Sequence, residues 1–425
     1  MSTTELVALL GGQEVGRVHR DSRGHLRFVY AGDWRQAPDS YPLSISIPLT
    51  AAEHPHSRIE AFLWGLLPDN DRVLERWARQ FHVRPNAFSL LAHVGEECAG
   101  AVQFALPEDV PGRRRATSAS VEWLSEQDVA ERLRALRGDQ TSWRRLGDSG
   151  QFSLAGAQSK TALLLRGRRW GVPSGRIPTT HILKPPMADL LGHVENEHFC
   201  LELARSVGLP AARSSVQRFG DEIAIVIERY DRVLDGAEVI RVHQEDTCQA
   251  LGIMPTKKYE NEGGPGAKTI VNLLRNVSSS PLDDVWTFAT ALGFSWLTGG
   301  TDAHAKNYSL LFGRAGQIRL APLYDLGSIL LYPEFSPKKA NLAMKIGTKY
   351  LFDQVGLRQW LQAAKAMRLD PEQLVVRLRT LAAQLPDAAV DVRKQADGDG
   401  LTPLPLDRLA AAMTERAHDC RRALD

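Results

Sequence analysis

The sequence predicts an α+β fold. A small N-terminal α+β domain is followed by a strand-rich part and then by an all-helical C-terminal part. Three observations carry that prediction. Short alternating strands fill residues 5–50. Lys184 ends an extended run and precedes a helix with Glu197 in its apolar stripe. Asp302 and Asn307 lie five apart, and Tyr324-Asp325-Leu326-Gly327 follows them after one short hairpin. The expected divisions are 1–110 for the first domain, 111–150 for a basic linker and helix, 151–250 for the strand-rich part, and 251–425 for the helical part.

Composition sets the class. The chain has 425 residues, long enough for two or three cores. It is 43% hydrophobic and 24% charged, ordinary values for a globular protein, and its net charge of +2 gives no global attraction for nucleic acid. Arg113, Arg114, Arg115, Arg132, Arg134, Arg137, Arg144 and Arg145 cluster locally and read as a solvated linker and helix face. Cys98, Cys200, Cys248 and Cys420 show neither metal nor disulfide spacing, and His181, His193 and His198 have no strong zinc spacing. No apolar run approaches 18 residues and no leader-like segment opens the chain, so a reduced, cytoplasmic protein without a membrane partner is expected.

Taken in order, Leu6–Leu10, Gly11-Gly12 and Val15–Val18 form a hairpin signal, and Leu26–Tyr30 alternates in the same way. Ser57 to Arg79 is helical, with Ile59, Phe62, Leu63, Leu66 and Leu67 on one side and a break at Pro68. A helix is expected near 121–136 in the linker. Residues 152–165 read as a small-residue turn between two apolar strands. The turn, Ala155-Gly156-Ala157-Gln158-Ser159-Lys160, can bring backbone N–H groups to phosphates or can be an ordinary hairpin loop. It is not a Walker A loop, which needs glycines where Leu154 and Ser159 stand.

A lysine at the end of a core strand must find an anion or water. The helix from Glu195 to Val207 offers one: Val194, Glu197, Leu201 and Ala204 share a face, whereas Glu195 lies with Phe199 and Glu202. Glu197 is therefore favoured over Glu195 as the Lys184 partner. Ile223 to Arg232 is a buried strand that runs into Glu228, Arg229, Tyr230 and Asp231, either a hinge that reads a base or a surface turn. Residues 254–268 read as an irregular loop, Asp283 to Thr298 as an apolar helix that delivers the chain to Asp302, and Tyr308–Phe312 with Gln317–Leu320 as a hairpin. Tyr350–Met367, Pro371–Gln384 and Pro405–Leu424 are helical.

Each piece alone is weak, but their order is that of a protein-kinase-like fold. Phosphoryl transfer needs a carboxylate to orient the attacking hydroxyl, an amide and a carboxylate for a metal, and a lysine on the phosphates. Asp302, Asn307, Asp325 and Lys184 match those needs in type.

The chain resembles the HipA serine/threonine kinases, the toxin halves of HipA–HipB pairs. The resemblance covers most of the chain and rests on Pro42–Leu49, Leu67-Pro68-Asp69-Asn70, Ser153–Leu164, His181–Lys184, Glu228–Arg232, His243–Asp246, Lys258-Tyr259-Glu260, Thr301–Asn307 and Tyr324-Asp325. It implies that Asp302 takes the acceptor proton and that Asn307 and Asp325 carry Mg²⁺. It implies that Lys184 holds the α- and β-phosphates of ATP under a loop from Ala155 to Lys160. Glu228, Arg229 and Tyr230 would form the hinge, with Asp231 reaching the ribose, and His304, Ala305, Lys306, Asn307 and Tyr324 would line the nucleotide site. Ser153 would be the autophosphorylated switch that turns the kinase off. The implied partners are a HipB-like helix-turn-helix antitoxin, an aminoacyl-tRNA synthetase substrate such as the glutamyl enzyme, and operator DNA reached mainly through the antitoxin. No basic DNA-contacting segment is evident in the C-terminal helices. Two alternatives stay open: an idle corepressor bound with its antitoxin, and a small-molecule kinase.

Overall fold

Gly11 and Gly12 both take positive φ, +57° and +82°, which turns the chain tightly between β1 (Glu5–Leu10) and β2 (Gln13–Arg20). The structure is a computed structural model that describes residues 4–110, 120–139, 141, 153–175, 177–236, 238–313, 316–336, 338–398 and 403–425. β3 (Leu26–Tyr30), the short β4 (Glu53–His54) and β5 (Val102–Ala105) complete an antiparallel sheet of order β4-β3-β2-β1-β5. After α1 (Gly32–Gln36), the helices α2 (His56–Gly65), α3 (Asp71–Gln80) and α4 (Ala87–Val94) close a core of Leu6, Phe28, Phe62, Trp77 and Phe88. The break expected at Pro68 is present, and the Asn70 side chain caps α3 by accepting from the amides of Arg72 and Val73.

The linker region departs from expectation. Val121–Leu124 is a strand, β6, and the helix α5 starts only at Glu126 and runs to Gly138, because Ser125 and Asp128 make a capping box there. Arg132 is buried rather than solvated, and Arg134 and Arg137 pair with buried Glu222. Arg113, Arg114, Arg115, Arg144 and Arg145 lie outside the described residues.

A six-stranded antiparallel sheet follows: β7 (Thr161–Arg166), β8 (Arg169–Pro173), β9 (His181–Lys184), β10 (Ser214–Phe219) and β11 (Glu222–Glu228), with β6 at one edge. Among the described residues only the second of the two strands expected across 152–165 forms; residues 153–160 are irregular. Side chains of β11 alternate faces, as the strand period requires. Ala224 and Val226 pack with Val129, Ala130 and Leu133 of α5, while Ile225 and Ile227 pack with Val194 and Leu201 of α6 (His193–Ser206). Lys184 and the residues after β11 thus sit where the sheet meets α6.

The C-terminal part is not all helical. The ribbon β12 (Arg232–Asp235) and β13 (Glu238–Arg241) leads to β14 (His243–Asp246) and α7 (Thr247–Leu251). After α8 (Ala267–Val277) and α9 (Pro281–Thr298), β15 (Ser309–Phe312) and β16 (Ile318–Leu320) join β14 in a three-stranded sheet. A hairpin of β17 (Asn341–Ile346) and β18 (Lys349–Leu351) precedes α10 (Leu357–Ala366), α11 (Pro371–Gly398) and α12 (Pro403–Ala423). Helix α8 begins inside the expected loop, and its Ile270, Val271 and Leu274 carried the helical spacing that announces it. Helix α11 runs through Pro386, because Leu385, Ala389, Val392 and Ala396 bury against the core and outweigh one lost backbone bond. Gly293 lets α9 and α11 touch: a Cβ there would meet Leu378 Cδ2 at 2.1 Å. No described helix is long and apolar enough to cross a membrane.

Candidate active site

The site is built from the end of β9 outward. Lys184 Nζ donates to Glu197 Oε1 at 2.6 Å and to Asp325 Oδ1 at 2.8 Å. The Glu197 side chain is only 4% exposed, that of Asp325 41%. Glu195 is also buried, but the contact is made by Glu197, whose place on the α6 stripe turns it toward β9. Burial works against the Lys184 charge, yet the two carboxylates outweigh it and hold its pKa above the ordinary value. The Lys184 ammonium, in turn, holds Asp325 well below the usual carboxylate range. Burial pushes the Glu197 pKa up against the pull of Lys184. Asp325 takes φ +56°, the left-handed region that Asp tolerates better than most residues.

Helix α9 ends at Gly299, in left-handed conformation, and hands the chain to residues 300–307. Asn307 Nδ2 donates to the Asp302 carbonyl at 2.7 Å, closing that loop on itself. The Asp302 carboxylate is 61% exposed at the cleft mouth. Tyr259 Oη donates to its Oδ1 at 2.7 Å, and His304 Nε2 stands 3.9 Å from its Oδ2. The loop 153–160 lies opposite. Gly156 takes φ +102°, and a Cβ there would meet Lys160 Nζ at 2.7 Å. Lys160 donates to the Ala155 carbonyl; burial and then the neighbouring Lys184 charge pull its pKa down to about 8. Gln158 Nε2 lies 3.3 Å from His193 Nδ1. Ala155, Gly156, Ala157, Gln158, Ser159, Lys160, Lys184, Glu228, Tyr230, His304, Asn307, Tyr324, Asp325 and Asp302 all line one cleft of about 680 Å³.

Arg229, Asp231 and Lys306 line the same cleft, but the structure engages their charges elsewhere, and Ala305 is set back from it. Ala305 is fully buried in the helical core and does not line the cleft. The Lys306 ammonium is buried against Asp69 Oδ1 at 2.9 Å and Asp246 Oδ2 at 3.8 Å, so its charge is committed away from a nucleotide. The Asp231 carboxylate, expected at a ribose, accepts from Gly100 N at 2.7 Å and from Arg229 and Arg232. The Arg229 guanidinium is engaged with Glu97 Oε1 at 2.9 Å, which leaves the backbone of this residue as its part of the hinge. The two acids and Arg229, Arg232 and Arg241 form one buried network between the first domain and the hinge. Burial opposes the Glu97 charge, but the three guanidiniums overcome it and hold its pKa far below normal. The donors crowd Asp231 Oδ2, and its Oδ1 accepts from Arg229 Nε at 3.0 Å.

Ser153 is fully buried: its Oγ donates to the Leu66 carbonyl at 2.8 Å, and its amide donates to the Glu97 carbonyl at 2.7 Å. Sequence reasoning gave no role to Tyr259 or Asp69, although both stand in stretches that carried the family resemblance. Their contacts join residues too far apart in the chain for any spacing rule.

An Asn–Asp pair suits a hard cation that keeps several waters, and the bond of Asn307 Nδ2 to the Asp302 carbonyl leaves the amide oxygen as its ligating end. A buried lysine between two carboxylates, a carboxylate at the mouth and a loop turned by a glycine at positive φ fit a nucleoside triphosphate. A strand-rich layer over a largely helical lobe, with this cleft between, defines a kinase-like phosphotransferase. The chain belongs to the HipA family: residues 6–105 match the HipA N-terminal domain and residues 152–389 the HipA-like C-terminal domain. It is 39% identical over 357 residues to the putative kinase Y4mE of Sinorhizobium fredii, 83% of each chain. It is 29% identical over 417 residues to the serine/threonine-protein kinase toxin HipA of Shewanella oneidensis, 92% of this chain and 90% of that one. The structure of that organism's HipA with HipB and operator DNA superposes with a TM-score of 0.82 at 26% identity, covering 98% of this chain and 99% of that chain. The enzyme class is therefore kinase.

Proposed function

We propose that this protein is an ATP-dependent protein serine/threonine kinase, the toxin of a toxin–antitoxin pair, which stops translation by phosphorylating a serine of an aminoacyl-tRNA synthetase. The observation that carries the catalytic part is the Lys184–Glu197 and Lys184–Asp325 contacts in the cleft that also holds Asp302 and Asn307. In this reading Asp302 orients the acceptor hydroxyl and takes its proton. Lys184 steadies the α- and β-phosphates, the loop 155–160 covers them, and Glu228 to Tyr230 meet adenine. Asn307 and Asp325 would hold Mg²⁺, which neutralises phosphate charge when bound. The division at 110, 150 and 250 belongs to the same reading, as does a cytoplasmic location.

The partner is supported by relatedness. The Shewanella HipA structure is a complex with HipB and operator DNA, so a helix-turn-helix antitoxin is the proposed partner here. The net charge of +2 supports DNA contact made mainly through that antitoxin. Ser153 is the proposed self-inactivating phosphosite. A dianion cannot share its buried place with the Leu66 carbonyl, so phosphorylation would expel the loop that covers the phosphates. Peptide mass spectrometry after incubation with Mg-ATP tests the reading. One phosphate on Ser153, absent from Asp302→Gln, is expected. Bound ATP with no transferred phosphate on this chain or on proteins of a cell extract would refute it.

A further inference from the structure

We propose that Asp69, carried by the N-terminal domain, is a positioning residue for the catalytic loop, so that the first domain completes the active site. Asp69 joins three segments. Its amide donates to the Gly156 carbonyl at 3.1 Å, and Pro68 bridges Gly156, which ties it to the phosphate-covering loop. Its Oδ1 accepts from Lys306 Nζ at 2.9 Å, four residues beyond Asp302. Its Oδ2 accepts from Lys258 Nζ at 3.1 Å, and the next residue, Tyr259, donates to Asp302 Oδ1. One carboxylate therefore reaches the catalytic acid by two routes, through Lys306 within its own loop and through Lys258 and Tyr259 beside it.

The arrangement is electrostatically tight. The Asp69, Lys306 and Asp246 side chains are mostly or fully buried, and Lys258 is largely so. Burial opposes the Asp69 charge, but Lys306 and Lys258 overcome it and keep the carboxylate ionised. Without Asp69, the Lys306 ammonium keeps Asp246 at 3.8 Å and Lys258 loses its side-chain ion pair, which leaves the segment bearing Tyr259 held to the catalytic loop by the bond of Ala305 N to the Lys258 carbonyl at 3.3 Å. Misplacing a reacting group by about 1 Å costs about a hundredfold in rate. The contact also explains why the first domain reaches the cleft at Asp69 and Asn70.

This inference rests on the kinase reading, and the experiment separates the two. Transfer from labelled ATP to the protein's own chain and to dephosphorylated casein is measured for the full-length wild type, Asp69→Asn, Asp69→Glu, Lys306→Met and the Asp69→Asn/Lys306→Met double variant. The expected result is a kcat about a hundredfold down in Asp69→Asn, with KM for ATP within about twofold of wild type. Asp69→Glu should recover part of the loss, and the double variant should be no worse than the poorer single one. Should Asp69→Asn fail to fold, Lys306→Met removes the other end of the same contact and should show the same split. An Asp69→Asn kcat within about twofold of wild type, or losses that multiply in the double variant, would overturn the inference alone. Loss of ATP affinity in step with kcat would also overturn it, since it would mark general damage to the fold. A wild type that labels neither acceptor would remove the kinase reading, and this inference with it.

Discussion

Replacing Lys184 by Met keeps most of the side-chain volume and removes the charge between Glu197 and Asp325. Glu197 is then a buried carboxylate that has lost its ion pair and keeps only the more distant Lys160 charge, its Oε2 already lacking a partner among the described residues. Truncating one partner of a buried pair costs about 3–5 kcal/mol. The low end, about 3 kcal/mol, applies here, because Asp325 is partly open to water and its share is screened. The pH dependence follows from the signs. The Lys184 pKa is raised, so its stabilisation is complete below the ordinary 10.5 and is lost only as pH climbs through the higher folded value. The Asp325 pKa is depressed, so its stabilisation is present above the ordinary 3.8 and is lost only in stronger acid. Between about pH 5 and pH 9 the wild-type contributions of Lys184 and Asp325 are therefore flat. In the variant, Glu197, already raised by burial, takes up a proton as pH falls and sheds the desolvation cost. Urea unfolding should show a gap to wild type that is largest near pH 9 and narrows toward pH 5, while phosphate transfer is abolished at both. A gap below about 1 kcal/mol at pH 9, or one that widens toward pH 5, would refute the reasoning.

Other outcomes follow from single contacts. Ser153→Ala should lose about 1 kcal/mol of stability with the bond to Leu66 and remain an active kinase after long incubation with Mg-ATP, whereas wild type switches itself off; equal decay of both activities would place the switch elsewhere. Glu245 is buried at the contact with the first domain, accepting from Ile45 N at 2.8 Å, and burial pushes its pKa up to about 8. An acid with a raised folded pKa takes up a proton on folding, so wild-type stability should fall as pH rises from about 4.5 to about 8. Glu245→Gln, a mimic of the protonated form, should be the more stable by on the order of 2 kcal/mol above pH 8, with the difference fading near pH 5; thermal unfolding at the two pH values checks it.

What the sequence determined is what lies close together along the chain. Asp302 and Asn307 are five residues apart, so one turn fixes their relation, and Asn307 Nδ2 bonds the Asp302 carbonyl as such a loop requires. Glu197 is reached from Lys184 across one strand end and one helix, and helical periodicity was enough to choose it over Glu195. The strand Ile223–Ile227 and helix 281–298 announced themselves through apolar runs. The tertiary structure alone decided where the polar side chains of hinge and catalytic loop point. Asp231, Arg229 and Lys306 carry the charges a nucleotide site calls for, yet each is buried against the first domain, Arg229 with Glu97 132 residues away and Lys306 with Asp69 237 residues away. No spacing rule reaches across such separations. A buried charge takes whichever counter-ion the packing brings within bonding distance, and that is settled only when the two domains close on one another.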